Sequence, residues 1–262
     1  MNTLRNVLFV PHGSPMLALN PGAAGVAIQH VTQQLTAPRA IVVVSPHWET
    51  RSPTLGTGTQ LETIHDFYGF SPALYELNYP ATGCPEVAVE VAKALQAHGF
   101  EVHTDAQRGL DHGAWIPLRQ MFPDADVPVI PLSVQNHAGP MHAYKIGQAL
   151  ATLAQHNVWI VGSGNITHNL GDWRTASMQG GKTPAYVQVF TDWLAERLAQ
   201  GDIDSLLNYR KLSPEGVRAH PSEEHLLPFF TALGAAGPGA IPQAFHRGIS
   251  DHVIAMDGYA FH

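Results

Sequence analysis

The sequence has 262 residues, of which 45% are hydrophobic and 13% are charged. This length and composition fit one domain with a sizeable core, and we expect residues 1–262 to form a single domain. The net charge of -7 arises from 14 basic and 21 acidic residues, and neither sign forms a long run. A nucleic-acid-binding surface is therefore not expected, and a small organic ligand fits better.

The single cysteine, Cys84, excludes an internal disulfide framework. Nothing at the start of the sequence resembles a charged segment followed by an apolar signal core. No apolar stretch approaches the roughly 18 residues that a membrane span requires. We therefore expect a protein of the reducing cytoplasm that does not bind membranes.

Short apolar, β-branched runs alternate with longer amphipathic stretches. This alternation predicts an α/β fold with a mostly parallel central sheet flanked by helices. Segments 244–249 and 252–256 are short and strand-like, and they are candidates for antiparallel edge strands. Residues 50–83 lack periodicity, and a long loop of this kind is more often functional than idle. In chain order, the pattern predicts a strand over 7–10, a helix over 25–35, a strand over 40–45, a helix over 85–98, a strand over 101–104, a helix over 116–122, a strand over 127–133, a helix over 140–155, a strand over 158–161, and helices over 183–198 and 223–232.

Three of the 16 histidines directly follow predicted buried strands. His12 lies in PHGSP, His47 in SPHW and His168 in GSGNITHNL. Ligands of open α/β sheets bind outside the carboxyl ends of the strands, so these histidines are candidates for one shared site. Each alone could equally be a structural histidine bonded to a carbonyl group. Imidazoles that converge at one edge suit zinc or iron, whereas calcium or magnesium would require oxygen ligands.

Three further histidines lie near predicted helix starts. His225, in HPSEEHLLPFF, is a fourth candidate ligand, because the following helix would fix its position. His220 in the same loop is a weaker rival. His112, in LDHGAW, is interpreted as an acid or hydrogen-bond donor beside the site, with Asp111 and Trp115 placed to orient and shield its ring. Most of the other histidines, including His30, His98, His103, His142 and His156, are interpreted as surface or structural residues.

Six blocks of sequence carry a resemblance to a known family. They are PHGSPM, SPHW, TIHDFYGFSPALYELNYPA, DHGAWIPLRQMFPDADVPVIPLS, GSGNITHNL and EEHLLPFF. The blocks run in order from residue 10 to about residue 230 and cover nearly the whole chain. Together they resemble the class III extradiol ring-cleavage dioxygenases, in particular the branch of the DOPA-extradiol dioxygenases and the catalytic subunit of protocatechuate 4,5-dioxygenase.

The resemblance implies a single extradiol dioxygenase domain over residues 1–262, with one divalent metal per chain. It implies His12, His47 and His225 as metal ligands, and His168 as the catalytic base that can also serve as a fourth ligand. It further implies His112 as a second catalytic histidine, which bonds the substrate or the bound oxygen. Iron(II) is expected for dioxygenase activity, and zinc(II) is plausible as the bound ion. His225 departs from better-known relatives, which use a carboxylate as the third protein ligand.

The reaction implied is the opening of a catechol ring by dioxygen, with both oxygen atoms incorporated. The expected partners are a small aromatic catechol and dioxygen, with no nucleic acid and no membrane, and the chain is expected to be a monomer or a small homo-oligomer. His65, Phe67, Tyr68, Tyr75 and Tyr79 are candidates for an aromatic substrate wall. Two alternatives stay open: a zinc hydrolase that activates water, and a non-catalytic metal-binding interaction protein on the same fold.

Overall fold

Ten strands and eleven α-helices make up the residues that the computed structural model describes, which are 5–178 and 180–262. Eight strands form the central sheet. The strands are β1 (Val7–Pro11), β2 (Ala40–Glu49), β3 (Thr54–Gly56), β4 (His103–Asp105), β5 (Val129–Val134), β6 (Val158–Gly164), β7 (Pro242–His246), β8 (Ile249–Ser250), β9 (Ile254–Ala255) and β10 (Gly258–Phe261). The helices are α1 (Gly22–Gln33), α2 (Pro72–Tyr75), α3 (Pro85–Ala97), α4 (His112–Met121), α5 (Gly139–Gln155), α6 (Leu170–Met178), α7 (Ala185–Ala199), α8 (Ile203–Leu207), α9 (Tyr209–Leu212), α10 (Gly216–Ala219) and α11 (Leu227–Ala236).

The strand order in the sheet is β4-β3-β5-β2-β6-β1-β10-β7. The four central strands β5, β2, β6 and β1 run parallel. They are buried on both faces, which explains the nearly unbroken apolar runs of β2 and β6. Because these strands are parallel, their carboxyl ends meet at one edge of the sheet. This confirms the predicted α/β class with a mostly parallel sheet.

Helices cover both faces of the sheet. Helices α5 and α11 pack against each other and against β6, while α4 packs against β2 and β6 together with α1. Helices α5 and α11 approach each other closely because each carries a glycine that faces the backbone of the other helix. A Cβ atom added at Gly147 would lie 2.0 Å from the carbonyl oxygen of Thr231, and one at Gly234 would lie 2.0 Å from that of Tyr144.

The antiparallel strands differ in detail from the expectation. The edge strand β7 pairs with β10, which in turn pairs with β1, so residues 258–261 supply a strand that the sequence pattern did not indicate. Strands β8 and β9 pair with each other as a separate ribbon, and Ala255 of β9 also forms an isolated bridge with Thr167. The predicted loop over 50–83 contains β3 and α2. Within the described ranges, no helix has the length and apolar character needed to cross a membrane.

Candidate metal centre

Five histidines reach one cavity of about 650 Å³ at the carboxyl edge of the sheet. His12 follows β1 directly. His47 lies near the end of β2, where the register of β2 with β5 is irregular. His168 comes four residues after the end of β6. His225 lies just before α11, and His112 is the first residue of α4. All five histidines that the sequence analysis assigned to the site therefore line this cavity.

His112 lies in a helix rather than in the predicted loop. Helix α4 begins at His112, four residues before the predicted start at 116, because the Asp111 side chain accepts a hydrogen bond from the backbone N–H of Ala114 and caps the helix. Asp111 also accepts from Ser45 and pairs with Arg108. Asp111 therefore fixes the helix that carries His112, and it does not pair with the ring.

Asp66 is the acid that faces the His112 ring, and the sequence analysis did not single it out. Its Oδ1 atom accepts a hydrogen bond from the backbone N–H of His112 at 2.8 Å. The same atom lies 3.0 Å from Nδ1 of the His112 ring, but the angle of this second contact is not that of a hydrogen bond. Its Oδ2 atom lies 3.8 Å from Nδ1 of His47. Burial raises the pKa of Asp66, but its contacts with His112 and His47 outweigh burial and lower the pKa to about 2. The only sequence signal was its place in the block TIHDFYGF.

The Nδ1 atom of His12 is held by a chain of hydrogen bonds. The Ser163 hydroxyl donates to the carbonyl group of Gly113, so it must accept from Nδ1–H of His12, 3.1 Å away. Asn165 supports the same arrangement, because its oxygen accepts from Gly13 N–H and its amide nitrogen lies 3.3 Å from Nε2 of His12. The lone pair of His12 is therefore on Nε2.

The Nε2 atoms of His12 and His47 face each other 3.4 Å apart. Two nitrogens at the usual zinc–nitrogen distance from one tetrahedral ion are about 3.3 Å apart. At His225, Nδ1 donates to Glu224 Oε1 at 3.0 Å, which leaves its Nε2 free as well. Outward Nδ1 contacts of this kind are typical of histidines that bind a metal through Nε2. The donor set therefore fits a zinc or iron ion.

The distances define two groups of potential ligands. In the first, ligand atoms of His12, His47 and His112 lie within 4.8 Å of one another, and this buried group could bind one metal ion. In the second, His168, Glu224 and His225 meet the same limit. The rings of His168 and His225 are stacked with centroids 3.4 Å apart, and the His225 centroid lies 5.0 Å from that of His47.

Burial keeps four of the cavity's imidazoles neutral, those of His12, His47, His168 and His225. It is the largest cause that lowers the pKa of His12 and His225 well below the usual value, and the neighbouring histidines lower it further. Burial also lowers the pKa of His47 and of His168 to about 4, despite the opposing effect of nearby acids. Neutral imidazoles have the free lone pairs that metal binding needs.

The remaining candidates divide between the cavity wall and positions elsewhere in the fold. His220 is fully buried away from the cavity, and its Nε2–H donates to the carbonyl group of Ile166 at 2.8 Å. Of the proposed aromatic wall, Phe67 and Tyr68 line the cavity, together with Phe70. The Tyr79 hydroxyl instead donates to the Phe122 carbonyl group.

The histidines at the carboxyl edge of the sheet therefore form a largely buried group that could bind a metal ion. The model of the family described as the catalytic LigB subunit of aromatic ring-opening dioxygenase matches residues 7–255. The chain belongs to this family and is a metal-dependent extradiol ring-opening dioxygenase, which confirms the resemblance of the sequence blocks. The comparisons do not favour the zinc hydrolase or the non-catalytic alternative.

Similar proteins agree over nearly the full chain. A protein from Beta vulgaris named 4,5-DOPA dioxygenase extradiol is 37% identical over 99% of this chain and 97% of its own length. A protein of the same name from Escherichia coli K12 is 38% identical over 89% of this chain and 86% of its own. The crystal structure of an uncharacterized Escherichia coli K12 protein superposes with a TM-score of 0.80 and 29% identity, covering 97% of this chain and 98% of the other.

Proposed function

We propose that the chain opens the ring of a catechol-type substrate with dioxygen at one divalent metal, within a single catalytic domain that spans residues 1–262. The observation that carries this proposal is the convergence of five histidines on one cavity. When bound there, iron(II) would supply the redox chemistry that lets dioxygen react with a catechol. Zinc(II) is compatible with the same donor set.

His12, His47 and His225 are the proposed metal ligands. The positions of His12 and His47 are fixed by β1 and β2, and their Nε2 atoms already face each other. His225 is buried and oriented by Glu224. His112 is the rival for the third position, because its nitrogen lies within the same 4.8 Å group as His12 and His47. Metal analysis of separate variants distinguishes the two.

His168 is the proposed base, and it can also serve as a fourth ligand. Its pKa of about 4 means that the ring is neutral at pH 7 and can accept a proton from a catechol hydroxyl. This pKa is lower than the unperturbed value near 6.5, because the ring is buried. Its stacking on His225 places it beside a proposed ligand.

His112 is the proposed second catalytic histidine. Asp66 lies beside its Nδ1 atom, so the other ring nitrogen is available to bond the substrate or the oxygen that reacts with it. Phe67, whose ring centroid is 5.7 Å from that of His112, provides an apolar wall for an aromatic ring.

The proposal is tested by loading the metal-free protein with iron(II) under anaerobic conditions, adding a panel of catechols, and then admitting air. We expect oxygen uptake together with the coloured ring-opened product. The zinc-loaded protein is the control and should consume no oxygen. If no catechol in the panel is cleaved by an iron-loaded protein that binds it, the proposed reaction is wrong.

A further inference from the structure

His220 is a fully buried histidine outside the metal centre that connects two loops of the site. One loop follows β6 and carries His168, and the other precedes α11 and carries His225. The Nε2–H group of His220 donates to the carbonyl group of Ile166 at 2.8 Å, across 54 residues of sequence. Because Ile166 precedes His168 by two positions, this bond holds the first loop next to its proposed base.

Backbone hydrogen bonds join the same two loops on either side of this contact. The N–H group of Asn165 donates to the carbonyl group of His225 at 3.1 Å. The N–H group of His168 donates to the carbonyl group of Ala219 at 2.9 Å. The bond from the His220 ring therefore lies between two backbone bonds, in a stretch where the loops run against each other.

The position of His220 is itself fixed by its surroundings. Its carbonyl group accepts a hydrogen bond from the Arg210 side chain at 2.7 Å, and its N–H group donates to the carbonyl group of Gly216 at 3.1 Å. Its ring packs against the rings of Phe190 and Tyr209, with centroids 5.8 and 6.1 Å away. The Nε2–H group is therefore held in one direction, toward the loop after β6.

The hydrogen bond to Ile166 explains why this buried residue is a histidine. Burial lowers the pKa of the His220 ring to about 3, so the imidazole is neutral and its one proton is on Nε2. The other nitrogen, Nδ1, has no hydrogen-bond partner among the described residues. A ring needed only to fill space would be apolar, because burial of an unpaired nitrogen costs free energy. The Nε2–H donor is therefore the feature that an apolar residue would not replace.

We propose that His220 is a positioning residue for ring cleavage, which keeps His168 stacked on His225 by holding the carbonyl group of Ile166. This inference rests on the proposed function, in which His168 is the base beside a metal ligand. The rings of His168 and His225 have centroids 3.4 Å apart and planes 8° from parallel, so a shift of either loop would disturb the stack. Misplacement of a reacting group by about 1 Å can lower a rate about 10²-fold. His220 does not line the cavity and acts through His168.

The first test is backbone hydrogen exchange in the zinc-loaded wild type, His220→Leu and His220→Gln. Leucine fills much of the space of the ring but donates no hydrogen bond, whereas the glutamine amide retains a donor. In His220→Leu, the N–H groups of Asn165 and His168 should exchange about 3- to 10-fold faster, as expected for the loss of one hydrogen bond. In His220→Gln they should exchange as in the wild type. Unchanged exchange in His220→Leu would overturn the proposal.

Tyr209→Phe is the matched control, because the Tyr209 ring packs against His220 while its buried hydroxyl has no hydrogen-bond partner among the described residues. This variant removes a polar atom from the same cluster and leaves the bond to Ile166 intact. It should exchange and turn over as the wild type does. Changes in Tyr209→Phe as large as those in His220→Leu would assign the effect to the cluster in general and overturn the proposal.

The second test compares kcat, KM and metal content of the iron-loaded variants. His220→Leu should lower kcat about 10- to 100-fold with KM and metal content nearly unchanged, and His220→Gln should restore most of kcat. Added to His168→Gln, His220→Leu should cause no further loss, because His220 acts through His168. A further loss of the same size in the double variant, or a loss of metal in place of kcat, would overturn the proposal.

Hydrogen exchange separates this inference from the proposed reaction, because it requires no turnover. Faster exchange in His220→Leu, without ring cleavage by the iron-loaded wild type, would support the positioning of His168 by His220 and refute the reaction. Ring cleavage by the wild type, with exchange and kcat both unchanged in His220→Leu, would support the reaction and refute the role of His220.

Discussion

His12 and His47 are the two proposed metal ligands whose Nε2 atoms face each other directly. Their Nε2 atoms are 3.4 Å apart. We expect His12→Ala and His47→Ala each to lower metal affinity more than tenfold, since a ligand should cost at least as much as the groups that orient it. His225→Ala should match them, whereas His112→Ala should keep its metal. Metal content after dialysis against a weak chelator measures this, and undiminished content in both His12→Ala and His47→Ala would contradict the site.

His168 is expected to act on protons more than on metal retention. His168→Gln removes the proposed base and should lower the ring-cleavage rate by about 10²–10⁴-fold while most of the metal is retained. Metal loss as severe as in His12→Ala would instead make His168 a true fourth ligand and favour a closed zinc site. An unchanged rate at saturating catechol across pH 6 to 9 would remove His168 from the mechanism.

At the scale of elements, the close contact of α5 with α11 depends on two glycines. In Gly147→Ala, the new methyl group would meet the backbone oxygen of Thr231, which cannot rotate away. We expect a loss of about 1–3 kcal/mol in the free energy of unfolding, or more, measured by urea denaturation. Gly171→Ala in α6 is the control, because its methyl group meets only a side-chain oxygen, that of Asn169 at 3.3 Å. Equal stability of the two variants would show that α11 can move aside.

The elements that the sequence predicts well are those whose burial is continuous. Strands β1, β2 and β6 each begin with an unbroken run of apolar, buried residues, and their order along the chain is enough to predict a parallel sheet with His12 and His47 at its edge. Helix α6 was missed because only Ala176 in it is buried, so it has little apolar periodicity. Asp66 was missed because its role depends on a contact with His112, 46 residues away, which no local pattern encodes. The choice between His112 and His225 as third ligand likewise depends on which residues meet in the folded chain, and the sequence pattern does not encode this.

At the scale of the whole molecule, the neutral histidines make the stability of the metal-free protein depend on pH. His47 and His168 have pKa values of about 4 in the folded protein, against 6.5 in the unfolded chain. Between pH 4 and pH 6.5 the unfolded chain binds more protons than the folded protein does. The contribution of these two histidines to the free energy of unfolding is therefore complete above pH 6.5 and is lost as the pH falls toward 4. The loss is on the order of 3 kcal/mol for each group.

Urea denaturation of the metal-free protein at pH 7.5, 6 and 5 checks this dependence. The double variant His47→Gln/His168→Gln should show a flatter profile than the wild type, since it lacks both groups. A wild-type stability that is constant over this range would mean that the two histidines titrate normally and are not buried as described.

We expect this chain, with its metal, to insert both atoms of dioxygen into a catechol ring. The most direct measurement is mass spectrometry of the product formed by the iron-loaded protein from a catechol under ¹⁸O-labelled dioxygen in ordinary water. We expect a ring-opened product that contains both labelled atoms before any exchange with solvent, and no such product from iron-loaded His168→Gln in the same time. A product labelled only from water, or an oxidised catechol with its ring intact, would contradict the account.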